Sequence, residues 1–121
     1  MDASLIICVG LIGGAGAICR VLLDGGVSAR LSGAFPFGTL TVNVGGAFLL
    51  GLLAGVAVSA DTYRLAGTAF LGSFTTFSTW MLESQRLGEE GRLPLVALNL
   101  AVSLVLGLGA AVAGRAVGDL L

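Results

Sequence analysis

No charged residue occurs between Leu65 and Leu82, yet this stretch carries Gly72-Ser73-Phe74-Thr75-Thr76-Phe77-Ser78-Thr79-Trp80. Backbone at membrane depth is normally helical, because lipid offers it no hydrogen-bond partners. A glycine followed by clustered hydroxyls and rings is poor material for an unbroken lipid-facing helix. It suits a local break that turns carbonyls and side chains toward something passing through. Hydroxyl and aromatic groups without an ionisable one point to a pore or ion site rather than to acid–base chemistry.

The rest of the chain agrees with a membrane setting. Its 121 residues are 56% hydrophobic and 11% charged, with 20 glycines and a mean hydropathy of +1.04. Soluble domains carry about 25% charged residues, so a soluble fold could not hide this much apolar surface. Four apolar stretches stand out: Ala3 to about Leu23, a part of Leu31–Ala60, Leu65–Leu82 and Leu93–Gly114. Each reaches the roughly 17–25 residues that a spanning helix needs. The expected fold is an all-α integral membrane protein forming one domain, with helices over approximately 4–23, 38–60, 65–82 and 94–114. The third helix is expected to be broken near its middle. A multi-pass position in the cell inner (plasma) membrane follows as the expected location.

Ala15-Gly16-Ala17 imitates a cleavage site, but Asp2 stands where a signal peptide has a basic region and no soluble domain follows. The first stretch therefore reads as a retained span. Cys8 and Cys19 would lie roughly 16 Å apart on one helix, too far for a bridge. They are expected to be small buried residues. With no His and no cysteine cluster, a transition-metal site is excluded.

All six basic residues are arginines. Four helices put both termini on one side, with Arg64 and Arg115, and leave Arg30, Arg86 and Arg92 on the other, with Arg20 near the end of the first helix. The positive-inside rule counts Lys and Arg in short loops, and here it specifies orientation only weakly. Such a chain could insert both ways round or depend on a partner of opposite bias.

Turn signals place the connections at Asp24 to about Gly38, at Asp61-Thr62-Tyr63-Arg64, and at Glu83 to Arg92, after which Pro94 starts the fourth helix. Small residues four apart, Gly10/Gly14 and Gly51/Gly55, favour close helix packing. Four thin helices enclose little space, which favours oligomers.

Asn43 and Ser103 are polar groups in apolar helices and should face the bundle, since unsatisfied polar groups are costly there. Asn99 lies one turn before Ser103, so the two could line a wet track. Phe70, Phe74 and Phe77 recur at helical spacing, followed by Trp80. Such stripes usually pack, but here they alternate with hydroxyls. Ring edges carry positive potential, so edges and hydroxyl donors together could replace the water around a small anion. Arg20 could concentrate anions at a pore mouth. For Arg20 and Glu83 alike, the alternatives are snorkelling or a mutual ion pair.

Three runs now resemble one family. Gly14-Ala15-Gly16-Ala17-Ile18-Cys19-Arg20, Phe37 through Gly46, and Gly72 through Thr79 with Glu83 beyond are similar to the Fluc (CrcB) fluoride channels, and the resemblance covers essentially the whole chain. It implies an antiparallel dual-topology dimer with two pores and a central structural sodium ion, Na+, at the dimer interface. By the motif match, the backbone carbonyls of Gly72 and Thr75 from each subunit would hold that ion. Phe77 would be the first of the family's two pore phenylalanines, and Trp80 occupies the second position. Asn43, Ser78, Thr79 and Ser103 match polar pore positions, and Arg20 matches a vestibule arginine. Trp80 for Phe is the main departure; Val21, after the arginine, is a lesser one.

The resemblance implies passive, fluoride-selective export that limits fluoride toxicity. The expected partners are the fluoride ion, membrane lipid and an antiparallel second subunit, either identical or related; nucleic acid is not expected. No nucleotide-binding loop powers pumping, and no enzyme chemistry is implied. A second reading makes the chain mainly a structural subunit of a heterodimeric channel, completing the sodium site while Trp80 weakens its own pore. A proton-coupled exporter would need a carboxylate inside the first helix, and Ala3–Cys19 contains none.

Overall fold

The computed structural model describes residues 2–121, and among these the regular secondary structure is all helical, without strands. The first helix, α1 (Ala3–Arg30), starts at Asp2, whose carboxylate accepts the Leu5 N–H and the Ser4 hydroxyl, both at 2.8 Å. A carboxylate suits this position because it satisfies free N–H groups at the positive end of the helix. The Leu5 N–H first, and then the Ser4 hydroxyl, hold the Asp2 carboxyl below its ordinary pKa.

α1 continues past Leu23, where the sequence reading ends it, through Gly25, Gly26 and Ser28 to Arg30. Packing against the start of α2 (Phe37–Val56) accounts for the extra turns. A Cβ on Gly38 would run into the Asp24 carboxylate and would come within 2.7 Å of the Asp24 carbonyl and the Ser28 hydroxyl. Turn-forming residues are thus held helical by a close neighbour.

α2 ends at Val56 because Ala57 adopts a left-handed conformation, φ +57°. Ser59 then caps a third helix, α3 (60–74), by accepting the Thr62 N–H at 3.2 Å. The segment Asp61–Arg64, expected as the connection, is therefore the first turn of a helix. Its Asp61–Arg64 ion pair, at 3.0 Å, is an exposed i,i+3 contact. α3 widens over Tyr63–Leu71, where its hydrogen bonds take π-helical spacing, and closes with the α-helical turn Gly72–Phe74. Thr75 then turns extended, at φ −79° and ψ 159°.

α4 (Ser78–Glu89) starts after a three-residue gap, 75–77, and α5 (Leu93–Leu120) follows after a turn through Gly91 at φ +74°. The connection expected from Glu83 is mostly helical and shrinks to 90–92. Three helices, α1, α2 and α5, are long and apolar enough to cross a membrane. The remaining apolar stretch, Leu65–Leu82, is divided between α3 and α4, and neither piece is that long alone.

The tightest packing joins α2 to α5, which extends six residues past Gly114. A Cβ on Gly51 would strike the Ala111 carbonyl, and one on Gly114 would strike the Phe48 carbonyl. Gly55 and Gly118 face each other: a Cβ on either lies 2.9 Å from the other's Cα. Small residues let these backbones approach, which is how helices gain van der Waals contact in lipid. α1 packs on α3 through Gly16, where a Cβ would clash with the Phe70 carbonyl. Gly10 and Gly14, the pair singled out in the sequence, have no such neighbour. Cys8 and Cys19, expected to be buried, lie on the exposed side of α1. Val42, Leu71 and Phe74 form the core, with Leu53 and Phe70 packed against it.

Candidate functional site

The interruption between α3 and α4 is held by a side chain from α2. Asn43 Nδ2 donates to the Thr76 carbonyl at 2.8 Å, and Asn43 Oδ1 accepts the Thr76 N–H at 2.8 Å. The amide thereby pairs with both backbone groups of one residue, as a neighbouring strand would. In a continuous helix the Thr76 N–H would bond to the carbonyl of residue 72. Asn43 takes that donor away.

The Thr76 hydroxyl diverts a second backbone N–H one turn on. Its hydroxyl accepts the Thr79 N–H at 3.2 Å and donates to the Thr79 hydroxyl at 3.1 Å, which caps α4. In a continuous helix the Thr79 N–H would serve the carbonyl of residue 75. Gly72 and Thr75 are therefore left with carbonyls that no helical N–H reaches, and among the described residues no hydrogen bond ends on either. The Thr75 side chain is turned back, donating to the Leu71 carbonyl at 2.9 Å. Two neutral carbonyls deprived of donors fit a monovalent cation: buried or membrane-depth acceptors need a partner, and carbonyl rings can replace an ion's hydration shell.

A groove of about 510 Å³ opens beside the break. Asn43, Gly72, Thr75, Phe77, Trp80 and Ser103 all line it, and no acidic or basic side chain does. Phe77 is 70% exposed. Its ring meets Trp80 edge to face, with centroids 5.7 Å apart. The Ser103 hydroxyl is buried there without a hydrogen-bond partner. Phe70 and Phe74, from the same aromatic stripe, stack on each other at 6.1 Å, and Phe74 belongs to the core.

The remaining residues marked in the sequence lie elsewhere. Arg20 and Thr79 line a second groove of about 310 Å³, with Asp24, Thr39 and Val42. Thr76 contributes to both grooves and is the wall between them. Ser78 lines neither; its Oγ lies 3.5 Å from the Thr76 hydroxyl. Arg20 and Glu83 do not pair, since the ion pairs among the described residues are Arg64–Asp61 and Arg92–Glu90.

Asn99 does not share a track with Ser103. It is 1% exposed and faces α4, where its Nδ2 donates to the Ser84 hydroxyl at 2.9 Å. Ser84 donates to the Trp80 carbonyl at 2.8 Å, and Trp80 Nε1 donates to the Asn99 carbonyl at 3.3 Å. Thr76 and Ser84 were missed by the sequence reading as structural determinants. The signal available in the sequence was spacing: Thr76 stands three residues before Thr79, and Ser84 four residues after Trp80.

Comparison with known proteins bears on what this arrangement handles. Residues 7–115 match the family described as CrcB-like protein, Camphor Resistance (CrcB). The chain is 53% identical over 115 residues to a Mycobacterium tuberculosis protein named fluoride-specific ion channel FluC 2, covering 95% of this chain and 91% of that one. It is 41% identical over 116 residues to fluoride-specific ion channel FluC 1 of Symbiobacterium thermophilum, covering 91% and 94%. A Haloarcula marismortui protein, fluoride-specific ion channel FluC 2, is 47% identical over 107 residues, covering 85% and 87%.

Proposed function

The chain belongs to the CrcB family, which consists of ion channels and not enzymes, and from that premise we propose that it is a passive fluoride-selective channel that exports the anion and limits its accumulation. The observation that carries the proposal is the groove beside the break, where rings and neutral dipoles converge and no carboxylate, lysine or arginine stands. Fluoride is small and strongly hydrated, so its pathway must return hydrogen bonds as water leaves. Ring edges of Phe77 and Trp80 and the unpartnered Ser103 hydroxyl supply positive potential there without trapping the ion in a full charge. Arg20, in the second groove, raises the local anion concentration at a mouth. Export needs no other energy source, since a negative interior favours anion exit by about 2.3 kcal/mol per charge per 100 mV.

The working unit in this proposal spans the membrane four times, with α3 and α4 together making one broken span. It is an antiparallel dual-topology dimer in the cell inner membrane, and a second copy closes the open side of each groove. The weak arginine bias supports insertion in both orientations. The carbonyls of Gly72 and Thr75 from each subunit would hold a structural sodium ion. The ion would satisfy acceptors that the break leaves bare and tie the subunits together.

The test is efflux from liposomes containing this chain alone: fluoride leaves, and chloride stays. Comparable chloride release would defeat the proposal. Trp80 supports the second reading, in which the chain is mainly a structural subunit beside a related partner. Robust fluoride flux from the chain alone rules out an obligate heteromer.

A further inference from the structure

Trp80, Ser84 and Asn99 form a closed ring of hydrogen bonds. The Trp80 indole N–H donates to the Asn99 carbonyl, the Asn99 amide donates to the Ser84 hydroxyl, and the Ser84 hydroxyl donates to the Trp80 carbonyl. Each donor points the same way round. Asn99 and Ser84 are 1% and 7% exposed, so the ring is sealed from the groove that Trp80 lines. Its longest member is the 3.3 Å bond to the Asn99 carbonyl, which, inside α5, also serves its own helix.

The consequence concerns what Trp80 shows to an ion. A free indole N–H would be a strong anion donor, and it could hold a small anion too tightly to pass. We propose that Asn99 and Ser84 are positioning residues that withdraw this donor into the helix interface, so that Trp80 presents only carbon-bound ring surface to the groove. The edge-to-face contact with Phe77 is the other side of the same arrangement. On this basis a tryptophan works where a phenylalanine would, and specificity at the second aromatic position depends on two buried residues that never touch the ion. The inference rests on the channel reading for its functional consequence, but its structural content stands apart.

Trp80 is the sole tryptophan, so its spectrum reports on this site alone. Ultraviolet resonance Raman of the purified full chain reads the indole N–H-sensitive band. Asn99→Leu and Ser84→Ala should shift that band, while Ser84→Thr, which keeps a hydroxyl, should restore it. Fluoride efflux should fall about threefold in the first two variants, the size of one average interhelical hydrogen bond. In a Trp80→Phe background, Asn99→Leu should cost no further flux, because no indole remains to be positioned. An unchanged Raman band in Asn99→Leu overturns the inference, as does an equal flux loss with and without the indole. If the parent carries no fluoride at all, the channel reading fails, and the Raman comparison still decides whether the ring positions Trp80.

Discussion

Asn43 on α2 and Thr76 in the break between α3 and α4 exchange two 2.8 Å hydrogen bonds, so that one side-chain amide occupies both backbone groups of the other residue. This pair stands in for the helical ladder at the point where the ladder stops. It keeps the break open and fixes its shape.

Asn43→Leu should therefore act on stability and on transport. It strands a buried N–H and a buried carbonyl, each costing about 1–3 kcal/mol. The expected outcome is a clearly lower unfolding midpoint in detergent and strongly reduced fluoride efflux. A variant with parental stability would mean that the break needs no clamp.

The glycine seam between α2 and α5 makes a packing prediction. Gly114→Ala would drive a methyl into the Phe48 carbonyl and should cost about 1–3 kcal/mol, the usual range for overpacking. Gly109→Ala, on the same helix with no atom within 4 Å, should leave stability unchanged or improve it, since alanine favours helix by about 0.5–1 kcal/mol over glycine. Thermal unfolding of the two variants side by side checks the contrast.

Phe77 tests the aromatic surface separately from the fold. At 70% exposure its ring contributes little to the core. Phe77→Ala should keep the parental unfolding midpoint while lowering fluoride efflux about three- to tenfold, matching the roughly 0.5–1.5 kcal/mol of a specific aromatic contact. Loss of stability without loss of flux would assign Phe77 to packing instead.

The bared carbonyls of Gly72 and Thr75 predict a sodium requirement. Replacing sodium with a large organic cation should reduce fluoride efflux and weaken dimer assembly. Thr76→Val frees the Thr79 N–H to return to the Thr75 carbonyl. It should raise the half-effective sodium concentration about tenfold, equivalent to 1.4 kcal/mol. Efflux indifferent to sodium in the parent would remove the ion from the account.

Much of this site could be read from residue types alone, because polar groups between Gly72 and Trp80 are conspicuous in an apolar chain. Its internal order could not. The break falls at 75–77, one turn later than its glycine suggests, because the acceptors that divert its backbone N–H groups are Asn43 Oδ1, on another helix, and the Thr76 hydroxyl. Helix ends were misplaced for the same reason: Gly25, Gly26 and Ser28 look like a loop until Gly38 is packed against Asp24. Asn99 and Ser103 share a face at helical spacing, but α4 covers the first and leaves the second on the groove. Local composition shows where chemistry gathers, while contacts between distant segments decide which atoms are spent on structure.

The most direct measurement is paired ion efflux from liposomes holding this chain alone, with potassium made permeable to balance charge. Rapid fluoride release with chloride retained is the expected result. Chloride leaving at a comparable rate, or fluoride retained, would contradict the claim that neutral dipoles and ring edges at this break carry fluoride selectively.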